Sequence, residues 1–379
     1  MGIRRVSVLV SSLALLGMIG AAPAALATPT NVRIEAHAFN VLPRTSVGEP
    51  VAGGTYPDTG GDVYTADHAT GLGATALATR SAAVTWDFQP SGLGPFVTWF
   101  ANQKSDPTTY ADWWAFVVNG YSSPLGAAGL PSVKGDAYVW FQNPDATFSL
   151  PSTLLVVGGK SRQALLAGQS LTVRVVADDL ARVNSVADAG RFGVAAGDVQ
   201  TPDQFAAVDG ATVYVGNVAH AAAGSVAAPG SRAAGVTVRR LVGPGVTVSG
   251  LARGTYHVWA EKGMDAGGVY VRSERMLLNV GDRPTIDDVR ATPAAYKRNR
   301  ALTVRYALNK AARVRWTVRS EKGGTLASGV RSSTAGATGF TWQGRTTRQL
   351  GRTISVSLQA IDTWGRASAT ERFAIAVGT

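Results

Sequence analysis

The chain has 379 residues, no cysteine and a formal net charge of +11. Without cysteine it can form no disulfide, thiolate metal site or cysteine nucleophile, so its stability must come from packed cores. Its 44 glycines and a charged fraction of 16%, with few long amphipathic runs, favour strands and turns, and its length points to two or three domains.

Residues 1–27 follow the grammar of an export signal. Arg4 and Arg5 form a charged start, an apolar stretch runs from Val6 to Ala22, and Ala25-Leu26-Ala27 is a small-x-small cleavage site. The mature chain is expected to begin at Thr28. Nothing after it approaches the ~18 uninterrupted apolar residues of a membrane helix, so the mature protein is expected to be soluble and secreted. Leu42-Pro43-Arg44-Thr45-Ser46 brushes against a wall-sorting motif. Such motifs stand near the C-terminus before a hydrophobic tail, which leaves non-covalent wall association as the expectation.

The first module is expected over 28–160. Val32-Arg33-Ile34-Glu35-Ala36-His37-Ala38 alternates as a half-buried strand, a Gly-rich loop follows from Gly48 to Gly61, and 72–84 carries a helical pattern. Phe96–Phe100, 112–118 and 137–141 are aromatic and β-branched runs bounded by turn residues, hence sheet strands. Within them, Trp113-Trp114-Ala115-Phe116-Val117-Val118-Asn119-Gly120, then Gly126-Ala127, then Val133-Lys134-Gly135-Asp136-Ala137-Tyr138-Val139-Trp140 place an Asn-Gly turn after one aromatic strand and a Gly-Asp turn before the next. On these residues the module resembles the domains similar to the C-terminal β-domain of transcobalamin that recur in bacterial surface proteins. The resemblance implies the β-fold. In transcobalamin the domain covers cobalamin against a large helical partner domain, and no such helical segment is read here, so no cofactor is expected.

Adjacent Trp113 and Trp114 must point to opposite faces of a regular strand. One belongs to the core, and the other faces solvent, a loop or a ligand. An exposed ring is a platform for a sugar or a flat cofactor, which makes Trp99, Trp113, Trp114, Asn119 and Trp140 the candidate ligand-binding residues. Burial under the loop 48–61 is the competing explanation.

A second module is expected over 165–282, on the alternation of 170–176, the run Ala211–Val215 after Asp209-Gly210, and Gly254-Thr255-Tyr256-His257-Val258-Trp259-Ala260 ahead of Met276–Val280. The Gly-Thr-Tyr strand resembles those of Ig-like or transthyretin-like modules of bacterial surface proteins. His257 reads as a packed or edge residue. The third module, 284–379, carries Val304–Leu308, Val314–Val318, Gly339-Phe340-Thr341-Trp342-Gln343-Gly344 and Ala360-Ile361-Asp362-Thr363-Trp364-Gly365. It resembles the Ig-like domain of flagellar hook-capping proteins, with Gln343 where that family usually has Asp. The expected fold class is therefore mainly β: a small mixed domain with one helix, then two Ig-like β-sandwiches.

Charge is segregated. From Pro284 to Thr379, 16 Lys and Arg stand against 5 acids, while 28–283 is near neutral. A basic module is drawn to polyanions by screened attraction. With an export signal present, the expected partner is an anionic cell-wall polymer or glycan and not nucleic acid; the alternative is arginines that simply face water. No Gly-x-Ser-x-Gly elbow, Ser-x-x-Lys pair or His-Glu-x-x-His helix occurs. Asp58, Asp62, Asp67 and His68 cluster without calcium-loop spacing. Neither enzymatic activity nor a metal site is expected.

Overall fold

The computed structural model describes residues 29–36, 40–50, 54–65, 69–89, 95–105, 112–122, 125–144, 152–157, 162–217, 237–240, 245–262, 270–344 and 350–378. The export signal, His37, Asp67, His68 and His220 lie outside them. Among the described residues the chain is mainly β, with two α-helices, and its buried apolar side chains gather into three large clusters and one small one.

In the first module one sheet runs in the order Asn40–Val47, Thr30–Glu35, Ala137–Asn143, Trp113–Val118. Strand alternation sends Val32, Ile34, Trp114, Val118, Tyr138 and Trp140 to one face, where they pack with helix α1 (Gly71–Ser81). Thr70 caps α1 by accepting a hydrogen bond from the Gly73 amide. The helical pattern over 72–84 overshoots, because Ala82 caps the helix and Ala83 turns to a left-handed φ of 53°. The expected loop 48–61 includes the first strand and most of the turn of a hairpin, Thr55–Pro57 against Val63–Thr65. Asp58 Oδ1 closes its turn, accepting the amides of Gly61 and Asp62 at 2.8 and 3.0 Å.

The second and third modules share one plan. In the third, a sheet of Ile286–Thr292, Leu302–Leu308 and Gly336–Trp342 faces a sheet in the order Ala295–Lys297, Glu371–Gly378, Thr353–Ile361, Ala312–Ser320, Thr325–Ser333. In the second, Ser152–Val157, Leu171–Ala177 and Val246–Val248 belong to one sheet. The other runs Arg162–Leu166, Met276–Gly281, Gly254–Glu261, Thr212–Asn217, Thr237–Arg240. Each time the first strand leaves its sheet and continues on the opposite one, parallel to the last strand of the module. These two modules are Ig-like β-sandwiches.

One departure positions the candidate site. Between Leu171–Ala177 and Thr212–Asn217 the second module carries a long connection with a second helix, α2 (Val186–Phe192), which sequence periodicity does not reveal. Ser185 caps it, the Ser185 hydroxyl donates to Asp188, and Gly193 ends it in the left-handed conformation.

Candidate functional site

The five candidate ligand residues do not converge on one pocket. Trp114 and Trp140 are 3% and 4% exposed. Both meet Phe100 inside the core, with ring centroids 4.8 and 5.6 Å from it. Their indole nitrogens donate inward, to the Gln103 carbonyl and to Thr75 Oγ1. Trp99, half-buried, donates to Asp87 at 2.8 Å. Trp113 packs with Val139 against Ala115, Val117, Phe141 and Leu180, and Leu180 belongs to the second module. The outward ring is thus half-buried, with Leu180 of the neighbouring domain in the cluster it packs against.

Asn119 lies at a joint between modules. Asn119 and Gly120 have φ of 52° and 79° and join Val118 to Tyr121, which exchange both backbone hydrogen bonds, as a two-residue hairpin turn of the primed type requires. Asn119 Oδ1 accepts the Ala137 amide, and its Nδ2 donates to Asp136 Oδ1 at 3.0 Å. Asp136 also accepts the Val133 amide and the Tyr138 hydroxyl. From α2, Arg191 closes a bidentate fork on this carboxylate, Nη1 to Oδ1 at 2.8 Å and Nη2 to Oδ2 at 3.0 Å. Asn119 Nδ2 lies 3.2 Å from Asp188 of the same helix, Asn184 donates to the Asn119 carbonyl, and Phe192 meets the ring of Tyr121 at 5.0 Å. The φ of +79° favours glycine at position 120, and a Cβ there would stand 2.2 Å from Asn184 Nδ2, which would have to shift.

A second set of contacts covers the outer face of the first sheet. Arg33 and Glu35, alternating outward from Val32 and Ile34, are 3% and 4% exposed. Glu35 accepts from Arg272 at 2.8 Å and from Asn40, and Arg272 Nε donates to Glu261 at 2.5 Å. Arg275 lies over the Trp259 ring, and Arg44 pairs with Glu274 at the rim. Arg33 Nε comes within 3.8 Å of Glu35, yet its Nε and Nη1 find no hydrogen-bond partner. His257, half-buried in this module, is held below the usual imidazole value by burial and by Arg275.

The third module is clamped to the second through its own motif. Asp362 accepts from Arg366 Nε at 2.8 Å and from Lys310 Nζ at 3.0 Å. Burial opposes its ionisation, but these hydrogen bonds outweigh it and hold its carboxyl below the usual range. Arg366 reaches on to the Leu165 carbonyl and to Asn279 at 3.2 and 2.6 Å, Lys310 donates to the Asp282 carbonyl, and Arg162 lies 4.1 Å over Trp364.

One carboxyl pair escapes sequence reasoning. Asp58 and Asp87 share a hydrogen bond, and Asp87 also accepts from Thr98 and Trp99. Burial, with the Asp87 hydrogen bond, raises Asp58. Burial pushes Asp87 up as well, but the donors around it hold it below the usual value. No cluster of three or more potential metal ligands occurs among the described residues, and no helix there is long and apolar enough to cross a membrane.

Solved structures similar to this chain are built of fibronectin III-like and Ig-like domains. The fibronectin(III)-like modules of Clostridium thermocellum CbhA share 14% identity at a TM-score of 0.32, over 59% of this chain and 93% of that one. The chicken CNTN1 FN1-FN3 domains match at 10% identity and a TM-score of 0.28, over 66% and 74%. The human OSCAR ligand-binding domain matches at 13% identity and 0.23, over 60% and 100%. No protein-family model and no curated protein matches the chain. At such scores the Ig-like assignment rests on strand order.

Proposed function

We propose that this chain is an exported, non-enzymatic spacer and adhesion protein. Its first two modules act as one unit, and its third presents a basic surface to an anionic polymer of the cell envelope. The observation that supports this reading is where the motif residues go. Asn119, Asp136 and Trp113, which carry the transcobalamin-like pattern, and Asp362 and Trp364, which carry the hook-capping-like one, are engaged in the joints between modules. Rigid joints suit a protein whose task is to hold one surface at a fixed place relative to another. The export signal at 1–27 and the segregation of positive charge into the last module give the direction: outside the cell, toward polyanions.

The test uses the mature chain and isolated envelope material. Retention at low salt and release as salt is raised are expected. Absence of retention at low salt overturns the adhesion reading. Saturable quenching of tryptophan fluorescence by cobalamin or a neutral wall glycan, corrected for the titrant's own absorbance, would return the ligand role to the first module.

A further inference from the structure

Resting on that adhesion reading, the structure assigns the docking surface to one face of the third module and its occupant to one chemistry. Strands Ala312–Ser320, Thr353–Ile361 and Glu371–Gly378 are neighbours in one sheet. Val314, Val318, Ile354, Val356, Leu358 and Ile375 point into the core. The alternate positions turn Arg313, Arg315, Arg319 and Arg372 outward, and all four are exposed. The register places Thr317 opposite Ser357 and Ser357 opposite Arg372, so hydroxyls fill the space between the guanidinium groups.

Spacing follows from strand geometry. Arg313 and Arg315 are two residues apart, about 6.6 Å along the strand, and Arg372 lies two strands away, about 10 Å across the sheet. None of the four enters an ion pair or an aromatic contact among the described residues. The module's acids lie elsewhere: Asp287 and Asp288 are on Ile286–Thr292 in the opposite sheet, Asp362 holds Arg366 and Lys310, Glu321 accepts the Arg352 amide at the hairpin end, and Glu371 has the register of inward-facing Leu358. In contrast to the paired arginines of the joints, this face carries uncompensated charge.

The chemistry of the face narrows what fits it. Guanidinium forks with interleaved hydroxyls match phosphate oxygens. The outward positions of these strands carry no aromatic ring, so the face lacks the stacking platform that single-stranded nucleic acid uses and that a sugar ring favours. A flat sheet also cannot enter a duplex groove as a helix or ribbon does. The occupant that fits is a phosphodiester-linked polyol chain lying across the sheet, with repeated negative charge and no ring to stack.

The experiment measures binding of the full mature chain to poly(glycerol phosphate), with polygalacturonate and single-stranded DNA as competing polyanions. Three proteins are compared: wild type, R313S/R315S/R319S/R372S, and R298S/K322S at the far end of the module, where those side chains border a shallow depression with Leu350 and Gly351. Wild type is expected to prefer the phosphodiester polymer, the face variant to lose more than about tenfold, and the end variant to change less than about twofold. If four phosphates are neutralised, affinity falls on the order of fiftyfold between about 50 and about 200 mM salt. Should the Ser variant fail to fold, the four Arg→Gln changes serve instead. Undiminished binding by the face variant, equal or tighter binding of either competing polymer, or self-association of the chain through this face overturns the assignment and leaves the adhesion reading standing. Failure of wild type to bind any of the three polymers overturns the assignment, and the adhesion reading falls with it only if envelope material is also not retained at low salt.

Discussion

At the scale of single residues, electrostatics inside this protein is settled by partners and not by composition. Asp58 and Asp87 are chemically identical, but Asp58 is raised by burial and its carboxyl partner while Asp87 is lowered by its ring of donors. A raised carboxyl contributes stability below its ordinary value of 3.8 and loses it as pH rises through the raised value, where the shared proton leaves. The lowered Asp87 does the reverse, contributing above the ordinary value and losing it as pH falls through the lowered one. The first module should therefore be most stable between the two values. Asp58→Asn keeps a donor toward Asp87, so it should flatten the stability loss expected of wild type over the interval above the ordinary carboxyl value of 3.8, read from denaturation midpoints. A wild-type profile that rises over this interval would contradict the shared proton. A second residue-scale case is Gly344, with a φ of +72° and space for a Cβ only 1.9 Å from the Arg300 carbonyl oxygen. Gly344→Ala should cost about 3 kcal/mol by thermal unfolding of the third module. Gly344 is thus fixed by backbone geometry, whereas its neighbour Gln343 is exposed.

At the scale of elements, α2 is a short helix whose role is its partner and not its own stability. Its seven residues are too few to persist alone. It is held by the Ser185 cap, by Arg191 on Asp136, and by Phe192 on Tyr121. Ser185→Ala should cost about 1 kcal/mol and speed hydrogen exchange over 186–192, leaving exchange in Trp113–Val118 unchanged. Arg191→Met removes the fork on Asp136 and the bond to the Pro131 carbonyl and should weaken the joint by about 2 kcal/mol. Asp136 keeps its donors from Val133, Asn119 and Tyr138, so the first module should still fold, with near-ultraviolet circular dichroism of its tryptophans retained. With a helix of seven residues no apolar period is long enough to announce it in the sequence.

At the scale of the whole molecule, the first two modules share a buried ionic layer. A buried pair is not itself strong evidence of stability, but removing one partner leaves an uncompensated charge in a low dielectric. Arg272→Met strands Glu35 and Glu261 and should cost about 3 kcal/mol. Replacing Glu35 and Arg272 together by Met should recover part of that loss. Calorimetry of the wild type should show the first two modules unfolding in one transition, and Arg272→Met should split it; separate transitions in the wild type would refute the single-unit description.

What the sequence determined by itself was local. The runs Val304–Leu308 and Val314–Val318 read as strands, which the structure extends to Leu302–Leu308 and Ala312–Ser320, and the dipeptides Asn119-Gly120 and Gly135-Asp136 marked turns, because steric preferences at these positions act within a few residues. The sequence also placed Trp113 and Trp114 on opposite faces of their strand. Only tertiary structure decided what each face meets. Arg191 comes to Asp136 across 55 residues, Arg272 to Glu35 across 237, and Arg366 to Leu165 across 201. No periodic signal encodes such pairings; they follow from which surfaces the modules bury against each other. The same docking separates arginines held by carboxylates at the joints from those on the outer sheet, whose charge is left to solvent.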